Sequence, residues 1–221
     1  MTEETFAGDK KKGQSILGPW ERRFIDWIVP NVPLWITSHG LTIATIPISL
    51  LIILFSFFAQ TNIHWLWGVS AMITLQWLTD SLDGAIGRYR NVGLIRWGYY
   101  MDHFLDYIFL CSILIGYSLI LPDNFKYLLF FLLAIFGAFM VNSYLSFAAT
   151  NEFQISYLGI GPTEIRIVFI LVNTLLIFFG KTHLIFLLPI LLPLSLIGLC
   201  VVVYKTSRFI WRIDMERKEK E

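Results

Sequence analysis

The chain has 221 residues, of which 56% are hydrophobic, 16% aromatic and only 15% charged. Because a soluble domain carries roughly 25% charged residues, this composition excludes a cytosolic globular enzyme, a disordered protein and a nucleic-acid binder with a basic face. The formal net charge of +1 offers no bulk electrostatic attraction to a partner. The sequence therefore predicts an integral membrane protein.

The first 40 residues are predicted to form a cytoplasmic tail followed by a short interfacial helix. They contain no apolar stretch typical of a cleaved signal peptide, and residues 1–15 are expected to be solvated. From Trp20 to Val29, apolar and charged residues alternate at the helical period, which is typical of a helix lying in the membrane interface. The same pattern also fits a helix packed on the cytoplasmic ends of a bundle.

Six stretches are apolar enough to cross a bilayer, whose hydrocarbon core of roughly 30 Å needs about 20 helical residues. They lie at Leu41–Phe58, Trp65–Thr79, Tyr99–Leu121, Tyr127–Ala149, Glu164–Phe179 and Leu184–Tyr204. The sequence thus predicts an all-α fold with a six-span domain over residues 41–204 and a charged cytoplasmic tail over residues 205–221. The second stretch is the shortest, so its last turns must come from Asp80 and the residues after it.

The distribution of lysine and arginine predicts the orientation of these spans. With six spans, fifteen of the 17 basic residues fall on one side of the membrane, and only Lys126 and Lys181 fall on the other. Basic residues are enriched in cytoplasmic loops. Both termini, and the loop between the second and third spans, are therefore predicted to be cytoplasmic.

Four aspartates lie around the loop between the second and third spans. Asp80 and Asp83 share one face of a helix, and Asp102 and Asp106 share one face of the next helix with Gly98. Ionisable residues at membrane depth are costly and are functional candidates by default. Two neighbouring helices would bring the four carboxylates together at the cytoplasmic end of the membrane.

Four converging carboxylates in a low-dielectric place must be protonated or neutralised by cations. Oxygen ligands favour hard divalent ions such as Mg²⁺, Mn²⁺ or Ca²⁺, and four shared carboxylates suit two adjacent ions that clamp phosphate oxygens. Gly84, Gly87 and Gly98 leave room for a bulky ligand, and Arg88 can bind phosphate with its forked donors. Taken singly, the glycines could instead pack helices, and Arg88 could simply determine topology.

The spacing Asp-x2-Asp-Gly-x2-Gly-Arg-x9-Gly-x3-Asp-x3-Asp over residues 80–106 resembles the signature of the CDP-alcohol phosphotransferase family. Gly87 stands where that family usually has alanine. The resemblance implies a six-helix core, two Mg²⁺ or Mn²⁺ ions held by the four aspartates, a CDP-linked donor, a lipid or alcohol acceptor and a possible homodimer. It also implies a binding site for the nucleotide and pyrophosphate, formed by Asp80, Gly84, Gly87 and Arg88 with Gly98 nearby.

Two further features resemble the choline/ethanolamine phosphotransferase branch of this family. These are the pair Asp102-His103 and the sequence Gly161-Pro162-Thr163-Glu164. In that branch a diacylglycerol hydroxyl attacks the phosphate of CDP-choline or CDP-ethanolamine, and CMP leaves. In the other branch a small polar alcohol such as serine, inositol or glycerol phosphate attacks CDP-diacylglycerol.

The attacking hydroxyl must lose its proton, so a base is expected near the acids. His103 is the hypothesised base, with Glu164 orienting it, because a histidine held by a carboxylate is suited to proton transfer near neutral pH. Asp106 is the candidate in the other branch. Alternatively, His103 is an interfacial histidine and Glu164 satisfies the free amides at the start of its helix.

A divalent-ion transporter could use the same acids. Transport sites, however, usually lie near the midplane on broken helices related by an internal repeat. In this chain the acids cluster at one boundary beside glycines and Arg88, and no repeat is evident. The sequence therefore favours the transferase, with no nucleic acid as partner.

Overall fold

The computed structural model of the chain describes residues 10–12, 16–150, 152–154, 161–180 and 182–219. These residues form seven α-helices, which confirms the all-α prediction. The helices are α1 (Gly18–Ile28), α2 (Ser38–Phe58), α3 (Leu66–Tyr89), α4 (Ile95–Ile120), α5 (Asp123–Thr150), α6 (Pro162–Phe179) and α7 (Thr182–Lys218). Two strands of three residues, β1 (Lys10–Lys12) and β2 (Glu152–Gln154), pair in parallel. The rest of the predicted solvated tail, residues 1–15, lies outside the described residues.

Five helices of the described chain are long and apolar enough to cross a membrane, and they make the chain an integral membrane protein. They are α2, α4, α5, α6 and the part of α7 from Ile185 onward. Helix α3 has 24 residues, enough in length, but Gln76, Asp80 and Asp83 lower its hydropathy. The count of six spans therefore stays a prediction.

Two helices extend beyond their predicted apolar limits. Helix α3 continues beyond Thr79 to Tyr89, so the segment from Asp80 to Arg88 is helical. This agrees with the prediction that the last turns of the short second span come from Asp80 and the residues after it. Helix α7 continues past Tyr204 to Lys218. Residues 205–218 contain no glycine or proline that would end a helix, so the predicted charged tail is largely an extension of α7.

The apolar core lies between α2, α3 and α4. Ile52, Leu66, Ile73 and Ile113 are at most 1% exposed and belong to one continuous cluster. Helices α2 and α4 approach closely at Gly116, where an added Cβ would collide with the Ser56 hydroxyl. Small residues that let helix backbones approach are typical of helix packing in membranes.

Three buried polar side chains join α3, α4 and α6 within this core. The Tyr117 hydroxyl donates to Asn173 Oδ1 at 2.9 Å, and Asn173 Nδ2 donates to Ser70 Oγ at 3.0 Å. The three residues are between 0% and 6% exposed. We call Ser70, Tyr117 and Asn173 the neutral network; its groups satisfy one another, as buried polar groups must.

Helix α1 packs across α3. Ile25 is 4% exposed and lies in a small cluster with Leu82 and Ile86 of α3, whereas Trp20 and Trp27 are 70% and 71% exposed. Helix α1 therefore packs on the bundle through Ile25, and its outward tryptophans are compatible with an interfacial position. That position stays a prediction.

Several contacts place the starts of α2 and α4 and the end of α3 at one end of the bundle. The Arg90 guanidinium at the end of α3 donates to the carbonyls of Ile36 at 2.6 Å and Val32 at 2.7 Å, just before α2. The rings of His39 in α2 and Trp97 in α4 stack with centroids 4.7 Å apart. We call this end the site end, because the aspartates lie near it.

Candidate active site

Three of the four predicted aspartates meet between α3 and α4. Asp80, Asp102 and Asp106 each offer a carboxylate oxygen, and these oxygens lie within 4.8 Å of one another. We call these three residues the acid cluster. Their side chains remain partly accessible, at 21% for Asp80, 29% for Asp102 and 26% for Asp106. Three of the four carboxylates that helical periodicity predicts to converge therefore lie together.

Asp83 faces a different neighbour. It is 7% exposed, and its carboxylate accepts a hydrogen bond from Thr42 Oγ1 of α2 at 2.7 Å and a short one from the Gly84 amide. Three residues after Asp80 on a helix, its side chain is rotated by about 60° from that of Asp80, toward α2. Asp83 lies outside the set of three whose oxygens converge, so its role as a ligand stays a prediction.

A buried arginine lies against the acid cluster. Arg166 of α6 is 5% exposed, and its Nη2 donates to Asp80 Oδ2 at 2.8 Å and to Asp106 Oδ1 at 3.3 Å. Its Nε donates to Gln76 Oε1 at 2.7 Å, and its guanidinium lies 5.7 Å from the centre of the Phe109 ring. Bonds to charged partners compensate the desolvation of a buried guanidinium.

Sequence reasoning missed this arrangement of Arg166 and Gln76. A signal was available, because Gln76 lies four residues before Asp80 on the same helical face and is a polar residue within an apolar stretch. The partner of Gln76 could not be found in that way, since Arg166 lies 90 residues further along the chain.

Glu164, in the first turn of α6, accepts hydrogen bonds from the backbone amides that precede α6 and α1. Its Oε2 accepts from the Gly161 amide at 2.8 Å, and its Oε1 accepts from the Leu17 amide at 2.9 Å. These are the contacts of the alternative in which Glu164 satisfies free amides at a helix start. The hypothesis that Glu164 orients His103 remains a prediction.

Glu21 of α1 connects two helices that carry site residues. Its Oε1 accepts from the Ser81 hydroxyl of α3 at 2.8 Å, and its Oε2 accepts from the Thr163 hydroxyl of α6 at 2.5 Å. Ser81 follows Asp80 directly in the chain. Glu21 is one of the charged residues in the helical pattern between Trp20 and Val29. That pattern does not predict its contact with Thr163, which lies 142 positions away.

His103 lies in an aromatic environment between α4 and α5. Its ring is 4.5 Å from that of Tyr99 and 5.5 Å from that of Tyr144, and its side chain is 12% exposed. Its Nδ1 is 3.7 Å from Asp102 Oδ2, longer than a hydrogen bond. His103 is thus adjacent to the acid cluster, and its role as a base stays a prediction.

The predicted nucleotide-binding glycines differ in their surroundings. An added Cβ at Gly98 would meet nothing within 4 Å, at Gly84 it would be 3.3 Å from Nη1 of Arg88, and at Gly87 it would be 3.2 Å from the Ser38 hydroxyl. Gly98 therefore borders open space, whereas Gly87 allows α3 to approach the start of α2. Arg88 is exposed at the end of α3, where a ligand can reach its guanidinium.

The carboxylates of the acid cluster fit a hard divalent ion. All three are oxygen donors, they lie within 4.8 Å of one another, and they are partly open to solvent. Carboxylate oxygens suit Mg²⁺ or Mn²⁺ better than zinc or copper. The arrangement can therefore hold a cation and, through it, a phosphate group.

Residues 31–204, well over half of the chain, match the family model described as CDP-alcohol phosphatidyltransferase. The matched range runs from the turn before α2 into α7 and includes the acid cluster and Arg166. No curated protein matches the chain. On the extent of the match to the family model, the chain belongs to the CDP-alcohol phosphatidyltransferase family.

Proposed function

We propose that the protein transfers a choline or ethanolamine phosphate from its CDP-alcohol to diacylglycerol and releases CMP. Membership of the family implies head-group transfer in phospholipid synthesis. The single observation that carries the proposal is the convergence of Asp80, Asp102 and Asp106 beside the open space at Gly98. A donor diphosphate would bind there, with the exposed Arg88 guanidinium beside its phosphates.

The site would hold two Mg²⁺ or Mn²⁺ ions, bound by Asp80, Asp102 and Asp106 and completed by Asp83. Bound ions of this kind supply positive charge to the phosphate oxygens during displacement. Asp83 is buried, with its Oδ2 bonded to the Thr42 hydroxyl and its Oδ1 bonded to the Gly84 amide. Its Oδ1 would bind an ion through the second lone pair of that oxygen.

Two residues are candidates for the base that takes the proton of the attacking hydroxyl. The acceptor oxygen bonds to the donor phosphorus, the bond from phosphorus to the CMP oxygen breaks, and the hydroxyl proton passes to the base. We favour His103, which lies beside Asp102 and is shielded by Tyr99 and Tyr144. Asp106 is the alternative, because its carboxylate belongs to the acid cluster itself.

The membrane arrangement is also part of the proposal. Helix α3, the second predicted span in chain order, would bring the number of spans to six within a domain of residues 41–204. The site end and both chain termini would face the cytoplasm. The excess of basic residues on that side supports this orientation. A homodimer is implied by the family resemblance.

A donor panel tests the proposed reaction. The purified protein is given CDP-choline, CDP-ethanolamine or CDP-diacylglycerol with Mg²⁺ or Mn²⁺ and the matching acceptor, and CMP and lipid product are measured. We expect CMP from a CDP-alcohol with diacylglycerol as acceptor. CMP only from CDP-diacylglycerol would support the phosphatidyl-transfer alternative with serine, inositol or glycerol phosphate. Absence of CMP from every donor, together with Mn²⁺ uptake into vesicles, would support the transporter.

The choice of base is tested with His103→Ala. Loss of a general base lowers turnover by about 100-fold or more, so we expect that reduction if His103 takes the proton. Near-full turnover of the variant would reject His103 and leave Asp106 as the base.

A further inference from the structure

Arg166 is a buried cation that lies against the acid cluster in a fixed position. Its guanidinium is bonded to Asp80 Oδ2 and Asp106 Oδ1, two of the carboxylates whose oxygens could hold an ion. Gln76 fixes its Nε, and Phe109 lies against its guanidinium. With 5% of the residue exposed, the guanidinium is held in place from three sides.

This cation and a divalent ion compete for the same carboxylates. Arg166 occupies one oxygen each of Asp80 and Asp106, and its charge repels a second cation at short range, where the dielectric is low. A planar guanidinium is charged at any physiological pH. The acid cluster therefore offers a divalent ion less negative charge and fewer oxygens than its three aspartates provide by themselves.

The negative phosphates of a bound donor would reverse this effect. A diphosphate placed beside the acid cluster adds oxygen ligands for the ion and offsets the charge of Arg166. Thermodynamic coupling is reciprocal, so an ion that binds better with donor present also makes the donor bind better.

We infer that Arg166 makes divalent-ion binding depend on the nucleotide donor, so that the site loads ion and donor together. This inference rests on the proposed function, because it assumes that the acid cluster binds an ion and a CDP-linked donor. In this role Arg166 acts through Asp80 and Asp106, because its charge and its bonds to their carboxylates lower their affinity for the ion. A simpler role would be a structural counter-ion that only holds α3, α4 and α6 together.

The two roles predict opposite changes in ion affinity. If Arg166 competes with the ion, its removal tightens ion binding, because the repelling charge is lost and two oxygens are released. If Arg166 only holds the carboxylates in position, its removal loosens the site and weakens ion binding.

The test measures the Mn²⁺ dissociation constant of the full chain in detergent by electron paramagnetic resonance, with and without saturating CDP. For the unmodified protein we expect CDP to tighten Mn²⁺ binding by at least about tenfold. In Arg166→Gln, Mn²⁺ alone should bind at least about tenfold more tightly than in the unmodified protein. The CDP effect should be smaller than in the unmodified protein, because the phosphates still supply oxygen ligands to the ion but no longer offset the charge of Arg166.

Two further variants separate charge from geometry. Arg166→Lys keeps a positive charge beside Asp80 and Asp106 but not the guanidinium geometry. If the charge is what repels the ion, the Mn²⁺ affinity of this variant without CDP should stay within about threefold of the unmodified protein. Arg96→Gln removes an exposed charge at the start of α4, and screening by solvent should keep its effect below about twofold.

Melting temperatures show whether Arg166→Gln is folded when its Mn²⁺ affinity is measured. Arg166→Gln should melt lower than the unmodified protein in chelator and recover with Mn²⁺, because the ion replaces the missing positive charge. Unchanged or weaker Mn²⁺ binding by this variant, or failure to fold even with Mn²⁺, would overturn the inference. If the unmodified protein binds no Mn²⁺ with or without CDP, the proposed function fails instead.

Discussion

The same three helices, α3, α4 and α6, carry two polar groups of opposite character. The neutral network lies in the core, is at most 6% exposed and has its hydroxyl and amide groups bonded to one another. The acid cluster lies toward the site end, is between 21% and 29% exposed, and has three carboxylates against one buried arginine. One group is closed and neutral, whereas the other is open and carries excess negative charge.

The difference teaches how polarity in a membrane core is divided between stability and function. A polar group that is buried and bonded within the protein needs nothing from outside, so its role is to hold helices in register. Carboxylates that are open and in excess fit an external cation, so the role that we propose for them is binding. Variants should therefore lower stability in the neutral network and activity in the acid cluster.

Asp102→Asn should have the largest effect. Loss of one carboxylate from the acid cluster removes a charged oxygen ligand at nearly unchanged shape, so turnover should fall about 1,000-fold or more, about 4 kcal/mol in barrier. The melting temperature should change little. CMP release and thermal unfolding measure the two effects. Asp123→Asn, at the start of α5 and exposed at 92% of its side chain, is the control; metal-dependent activity retained by Asp102→Asn would contradict a ligand role.

Asn173→Leu should show the opposite pattern. The side chain is 0% exposed, and its loss leaves the Tyr117 hydroxyl and Ser70 without their amide partner, which should lower the free energy of unfolding by about 1–2 kcal/mol. Turnover at low temperature should stay within about threefold, since no ligand is lost. Denaturation in detergent provides the measurement. In the control, Thr174→Val, the lost hydroxyl donates to the Ile170 carbonyl of its own helix.

A large loss of turnover in folded Asn173→Leu would break the comparison, because it would mean that the neutral network also serves the reaction.

Glu21→Gln sharpens the comparison at the acid cluster. Glu21 accepts from Ser81 and Thr163, and loss of its charge weakens both bonds, so the helices carrying Asp80 and Arg166 should be held less firmly. We expect kcat/KM to fall by about tenfold or less, mainly through kcat. Steady-state kinetics tests this, with exposed Asp26→Asn of the same helix as the control. Equal effects of the two variants would reject a positioning role for Glu21.

Tyr117→Phe should have the smallest effect. It removes one hydroxyl from the neutral network and keeps the ring, so the free energy of unfolding should fall by about 1 kcal/mol or less. Turnover should not change measurably. Tyr127→Phe, at a 55% exposed position, controls for loss of a hydroxyl, and thermal unfolding compares the two. Greater stability of Tyr117→Phe than of the unmodified protein would show that the network costs stability.

Much of the fold could be predicted from sequence, because each apolar stretch forms its own backbone hydrogen bonds within one helix. The starts and ends of α2, α4, α5 and α6 lie within a few residues of the predicted limits. The predicted sixth span ends at Tyr204, where the apolar content ends, whereas helix α7 continues to Lys218, because the charged residues that follow favour helix as well.

The candidate site was predictable as far as helical periodicity extends. It placed Asp102 and Asp106 on one face of α4, and these two do meet Asp80. Helical periodicity could not predict the neighbour of Asp83, which lies on the same helix as Asp80 but accepts a hydrogen bond from Thr42 of α2. Spacing on one helix says which residues share a face, but not which neighbour that face meets.

The sequence by itself determined the lipid environment, the helices and the motif that brings acids to one end, because composition and local periodicity are properties of short segments. Only the tertiary structure decided that Arg166 and Gln76 lie against the acids and that Glu21 joins α3 to α6. These contacts join residues 60 to 142 positions apart. Their partners depend on how the helices pack around one another, which no local pattern encodes.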